Sequence, residues 1–356
     1  MKLDPLHLLA SLASSQYFYT DQLQLSLLDW QAIELLAVEH GVAPLLHQSF
    51  TKTGHSADIP EQVRDFFEAA YYQSIAKNAL FLSELQKILS FLFDADVDVI
   101  LLKGVYLVRK IYTEFALRPM TDLDLMVRPD DIKKVSRLIK QFGYEEQKST
   151  YHIVFWGGPA KNVIIEIHWN IMNSNLENTS HEVDWIWNDA FWENDAYSLR
   201  LEKEFLYLVG HMMIQHGTSP TRLIWLYDLC LFLEKYFYNM DWDFIFENST
   251  LLGWNRVLVE SIQNCADYFP SQFTDLAITK FPVNFNKQQK GQINRGWIPR
   301  AMRGMSVDRG IRTAKGMIFP GFSYMQWRYH LATRKYILMY YPKRWFELVK
   351  GVINKK

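Results

Sequence analysis

Cysteine is scarce in this chain. Cys230 and Cys265, the two among 356 residues, have no ligand-like spacing, which excludes a disulfide framework and a thiolate zinc site and points to a reducing, cytoplasmic compartment. Long apolar runs are missing as well: no stretch approaches the roughly 18–20 residues that a membrane span needs. The first residues, with Asp4, His7 and brief patches such as Leu8-Leu9-Ala10, lack the apolar region of a secretory signal. Internal repeats and low-complexity tracts are absent too. Net charge is only −1, yet it is unevenly spread. From Lys287 onward 16 Lys/Arg face two acids, a charge of +14, which leaves −15 on residues 1–286. Such a split predicts either an anionic partner for the tail or a tail that packs in the fold.

What is present is apolar and aromatic, at 49% and 15% of residues, enough for a large core in two or three domains. Residues 1–95 carry Leu, Ala and aromatics at helical spacing, ending in a long amphipathic helix from Pro60 toward Phe93. Over 96–195 the pattern changes: Val97 to Leu102 reads as a strand, Lys103-Gly104 as a turn, and Val105 to Tyr112 as a helix. Pro129-Asp-Asp131 opens a further helix that Gly143 closes. Tyr151 to Trp156 and Asn162 to Trp169 read as two strands joined by Gly157-Gly-Pro-Ala160. Residues 196–286 return to helical spacing through 202–213, 221–236 and 242–268. The 287–356 region mixes basic and aromatic residues. The expected class is α+β: a small mixed-sheet core flanked by helical regions.

Arg118-Pro-Met-Thr-Asp-Leu-Asp-Leu-Met-Val127 is the most informative stretch, because it sets Asp122 and Asp124 two residues apart in an apolar strand. Strand side chains alternate, so both carboxylates face one way while Leu123, Leu125 and Val127 face the other. Two like charges on one face cost free energy unless a cation sits between them, and carboxylate oxygens suit Mg²⁺ or Mn²⁺. Val163-Ile-Ile-Glu-Ile-His-Trp169 places Glu166 and His168 on one face of a second strand. If the two strands are neighbours, Glu166 becomes a third carboxylate, and three acids around two divalent ions is an arrangement used for phosphoryl transfer. Lys103 and Arg118 are candidate phosphate contacts, one a point charge and the other a planar fork. His168 is read as a partner of Glu166, a base, or a structural histidine.

These residues carry a resemblance. Lys103-Gly104, Arg118-x-Met-x-Asp122-x-Asp124-Leu-x-Val127, Glu166-x-His168-Trp169 and Arg222-Leu-x-Trp-Leu-x-Asp228 together resemble the bacterial family of uncharacterised nucleotidyltransferases in the polymerase-β-like superfamily, over roughly residues 30–270. The resemblance implies Gly104 at a phosphate-holding turn, Asp122 and Asp124 as ligands of Mg²⁺ or Mn²⁺, and Glu166 as the third acid. It further implies transfer of an NMP group from an NTP, ATP being the expected donor, to an acceptor hydroxyl with release of pyrophosphate. The chain departs from the superfamily in having Lys-Gly where Gly-Ser or Gly-Gly is usual, and Glu where Asp is usual. The acceptor, whether small molecule, peptide or protein, is not legible. Two alternatives stay open: a catalytically silent nucleotide-binding or regulatory module, and a nucleic-acid-binding protein that uses the basic C-terminal region.

Overall fold

The protein is described from a computed structural model covering residues 4–14, 28–148, 152–159, 163–170, 180–215, 222–282, 285, 339–343 and 345. The expectations for the basic tail therefore fall almost wholly outside the described residues. The chain divides into a unit of residues 1–290 and a second of 291–356. In the second, residues 339–343 are helical.

The first unit is α+β. Its helical beginning runs through α1 (Pro5–Ala13), α2 (Trp30–Glu39) and α3 (Ala43–Thr53) to α4 (Glu61–Phe93), a helix of 33 residues. Asp29 caps α2, its carboxylate accepting from the Ala32 amide, and Pro60 precedes α4 where no helical N–H is needed. The α/β part follows as β1 (Val99–Leu101), α5 (Lys103–Lys110), β2 (Leu123–Val127), α6 (Ile132–Gln141), β3 (Glu145–Lys148), β4 (Ile153–Trp156), β5 (Ile165–His168), α7 (Ser180–Trp187), β6 (Phe191–Glu193) and β7 (Ala196–Ser198). Helices α8 (Leu201–Gly210), α9 (Leu223–Tyr236), α10 (Trp242–Leu251), α11 (Asn255–Tyr268) and α12 (Gln272–Thr279) complete it.

The seven strands form one mixed sheet in the order β3-β4-β5-β2-β1-β7-β6. β2 is central. It runs antiparallel to β1 and parallel to β5, and all five of its residues are buried. A strand covered on both faces becomes a continuous apolar run, so the charge at Asp124 stands out in it. The 242–268 segment read as one helix is two, α10 and α11, parted at Gly253, whose φ of +72° ends the first.

Candidate active site

The site forms where β2 and β5 lie side by side. Parallel pairing sets Asp124 opposite Glu166 and Met126 opposite His168, so the two carboxylates share one face of the sheet, as side-chain alternation requires. Asp124 is 4% exposed. Two donors converge on its Oδ1: Nζ of Lys103 at 2.7 Å and Nε2 of His168 at 2.8 Å. Burial alone would raise the Asp124 pKa, but the Lys103 ammonium and the His168 hydrogen bond outweigh it and hold the carboxyl far below its ordinary value. An ionised carboxylate only accepts, so His168 donates from Nε2. Its own pKa is lowered, first by burial and then by Lys103.

Glu166 stands at the edge of this pair. Its Oε2 is 3.6 Å from His168 Nε2 and its Oε1 3.8 Å from Nε2 of His152, the residue before β4. Burial, then the charges of Asp124 and Asp122, push it up to about 8. His152 is pushed down to about 4, by burial and then by the cationic potential of His168 and Lys103. Asp122 lies one residue before β2. Burial and the Asp124 charge raise it to about 6. One ionised acid already engages Lys103, and among the described residues no Lys or Arg lies within ion-pair distance of Asp122 or Glu166, so both resist ionisation. That imbalance is what a divalent ion would relieve.

Ligand atoms of Asp124, Glu166 and His168 lie within 4.8 Å of one another. Carboxylate and imidazole donors at that separation fit a small divalent ion. Asp122 does not belong to this group, although its charge bears on both Asp124 and Glu166.

Lys103 opens α5 with φ +51°, a left-handed conformation that a side chain strains and glycine would adopt freely. It is the residue that departs from the glycine-first turn, and its ion pair to Asp124 fixes it there. Gly104 has no such need: a Cβ at this position would meet Met120 at 3.6 Å and Arg118 Nη1 at 3.9 Å, ordinary contacts. Arg118 is buried. Its Nε donates to both oxygens of Asp228 on α9, at 2.8 and 2.9 Å, and its Nη1 donates to the Pro119 carbonyl. Tyr112 donates to the same Asp228 at 2.7 Å. The guanidinium partner of the Asp228 carboxylate is thus Arg118, 110 residues away in sequence, rather than the helical neighbour Arg222. Asn78 of α4 straps down the approach to Asp122, donating to the Phe115 and Arg118 carbonyls and accepting from the Met120 amide.

Sequence reasoning placed Asp122 with Asp124, and Glu166 with His168, each pair on one face of its strand; the strands are neighbours with Asp124 opposite Glu166, and Lys103, read as a phosphate contact, pairs with Asp124. It did not foresee a role for His152, although that residue stands at the start of the first hairpin strand, or for Asn78, which no local pattern marks; Asp228 stood in the motif, and what the sequence did not show is its pairing with Arg118. No curated protein matches the chain. A sequence family described as uncharacterised nucleotidyltransferase matches residues 26–270, a span that holds α2 through α11 and every residue of this site, and the chain belongs to that family.

Proposed function

We propose that the protein is a metal-dependent nucleotidyltransferase that moves an NMP group from an NTP, ATP in the first instance, to an acceptor hydroxyl with release of pyrophosphate. The observation that carries this reading is Asp124, ionised on a fully buried central strand and in register with Glu166 on its parallel neighbour. Asp124 and Glu166, with the charge of Asp122 beside them just before β2, would hold Mg²⁺ or Mn²⁺. Such an ion, when bound, supplies the positive charge that offsets the triphosphate and the pyrophosphate leaving group.

The chain's own groups have distinct tasks. His168 and Lys103 fix the Asp124 carboxylate in one orientation, which removes reorganisation from the reaction. Arg118, locked by Asp228, sets the segment that leads into Asp122. Asp122 and Glu166, at about 6 and about 8, bracket neutral pH, so either carboxylate, when ionised, is suited to take the acceptor's proton as the hydroxyl oxygen bonds to phosphorus and the bond to pyrophosphate breaks. Incubation with α-labelled NTPs and Mn²⁺, followed by measurement of pyrophosphate and of label on candidate acceptors, tests the reading. Asp124→Asn should lower turnover by orders of magnitude while the fold persists. Turnover that survives this change would place the chemistry elsewhere.

A further inference from the structure

A triphosphate needs cations with uncommitted donors, and the two cations nearest the acids do not offer them. Lys103 is spent on Asp124, and Arg118 on Asp228 and the Pro119 carbonyl. Two others are placed differently. Arg222 caps the start of α9, its Nε held by the Glu39 carbonyl at 3.1 Å. Its guanidinium lies over Gly41, where an added Cβ would stand 3.0 Å from Nη2, and the +73° φ of Gly41 keeps a side chain away. One turn on, Trp225 lies 5.5 Å beneath the guanidinium carbon. That indole lines a small cavity together with Lys103, Arg118 and Asp228, and the Asp122 charge reaches Arg222.

Among the described residues no carboxylate lies within ion-pair distance of Arg222; Asp122, Asp228 and Glu39 act on it only from farther off, Arg118 opposes them, and Asp228 is already taken by Arg118 and Tyr112. Guanidiniums close enough to repel, neither with a carboxylate to spare, call for an anion, as neighbouring carboxylates call for a cation. Lys77 approaches from α4. It is solvent-accessible, and its neighbour Asn78 bonds the Met120 amide two residues before Asp122. Its ammonium lies 5.5 Å over the Phe81 ring, with no carboxylate within ion-pair distance among the described residues, and the Asp122 charge acts on it.

We propose that Arg222 and Lys77 form the anion-binding wall of this site and receive the phosphate chain of the incoming nucleoside triphosphate. The assignment rests on the nucleotidyl-transfer reading for its ligand, and it moves phosphate binding from the start of α5 to the middle of α4 and the start of α9. Arginine suits this task because its planar fork engages two phosphate oxygens at once.

The test uses the full chain in metal-free buffer with inorganic tripolyphosphate as the probe, followed by calorimetry. Wild type should bind it. Arg222→Gln should weaken binding about ten- to hundredfold, the loss of a charge-assisted contact, and Arg222→Lys should recover part of it. Because Arg222 also bonds the Glu39 carbonyl, Lys77→Gln supplies a variant that breaks no hydrogen bond of the fold. It should weaken the probe about threefold or more and leave Mn²⁺ binding unchanged. Equal tripolyphosphate affinity in wild type and both Gln variants overturns the assignment, even if the enzyme turns over NTP. Loss of probe binding in the variants of a protein that transfers no NMP upholds the anion wall and counts only against nucleotidyl transfer.

Discussion

Lys103 shows how one residue can hold together an unfavourable site. Its ammonium compensates Asp124 where, among the described residues, no other Lys or Arg lies within ion-pair distance, and its backbone accepts a left-handed conformation in exchange. Removing one partner of a buried pair leaves an uncompensated charge, which costs about 3–5 kcal/mol. Lys103→Met should therefore destabilise the metal-free protein by that order, and Mn²⁺ should restore more stability to the variant than to wild type. Melting curves with EDTA and with Mn²⁺ measure both effects; equal metal shifts in the two proteins would refute the role. Glu204 is a separate liability. Fully buried on α8, with neither carboxylate oxygen partnered among the described residues, it is pushed up to about 8 by burial. The titratable groups close by are Tyr106 on α5 and Tyr207 on its own helix, whose pKa values burial pushes up so that both stay neutral. The unfolded carboxyl ionises near 4.5 and the folded one near 8, so between those values the folded state holds the extra proton and stability falls as pH rises. Glu204→Gln removes the ionisation. It should raise the melting temperature at about pH 9 and change it little at about pH 5. A pH profile as steep as wild type would show that other groups set it.

At the scale of elements, the long helix α4 works as the spine of the approach to Asp122. Asn78 makes three hydrogen bonds to the 115–120 segment and is fully buried. Asn78→Ala leaves two carbonyls and an amide without that partner, at about 1–3 kcal/mol for each group left unsatisfied. The expected outcome is a loss of about 2–4 kcal/mol in urea unfolding, with weaker Mn²⁺ binding as the entry to β2 loosens. A variant equally stable and equally tight for metal would remove the strap from the argument. Elements were legible in the sequence where their pattern was strong: β2 and the β4–β5 hairpin alternate, and α4 repeats its apolar face over 33 residues. Others were not. Glu145-Glu-Gln-Lys148 is a polar edge strand with no apolar alternation, and β6 and β7 are three residues each, too short for a period to show. The acids of the site could be read because one strand and one hairpin carry them. The contacts of Arg118 with Asp228, and of Asn78 with the loop, join residues far apart in sequence, which only tertiary packing reveals.

For the whole molecule, the sharpest contrast is between the acidic first part of the chain and its basic end. Residues 1–286 carry −15 and residues 287–356 carry +14, and the boundary of the compact unit, at 290, falls close to that change of sign. Every group assigned to the site, from Lys77 to Asp228, belongs to the unit of residues 1–290. So do all seven strands and the buried apolar residues around them. A chain ending at Lys290 should therefore keep Mn²⁺ and tripolyphosphate binding within about threefold of the full chain, since no ligand-bearing residue is lost and the local fields fall off within about a Debye length. The basic end has a different signature. If it recruits a nucleic-acid acceptor, RNA binding by the full chain should fall steeply as salt rises from about 50 to 200 mM and should vanish in the shortened chain. Calorimetry with Mn²⁺ and a salt series with single-stranded RNA separate the two contributions. Loss of metal binding on shortening would mean that the site depends on residues beyond 290, and RNA affinity unchanged by shortening would place that contact on the first unit.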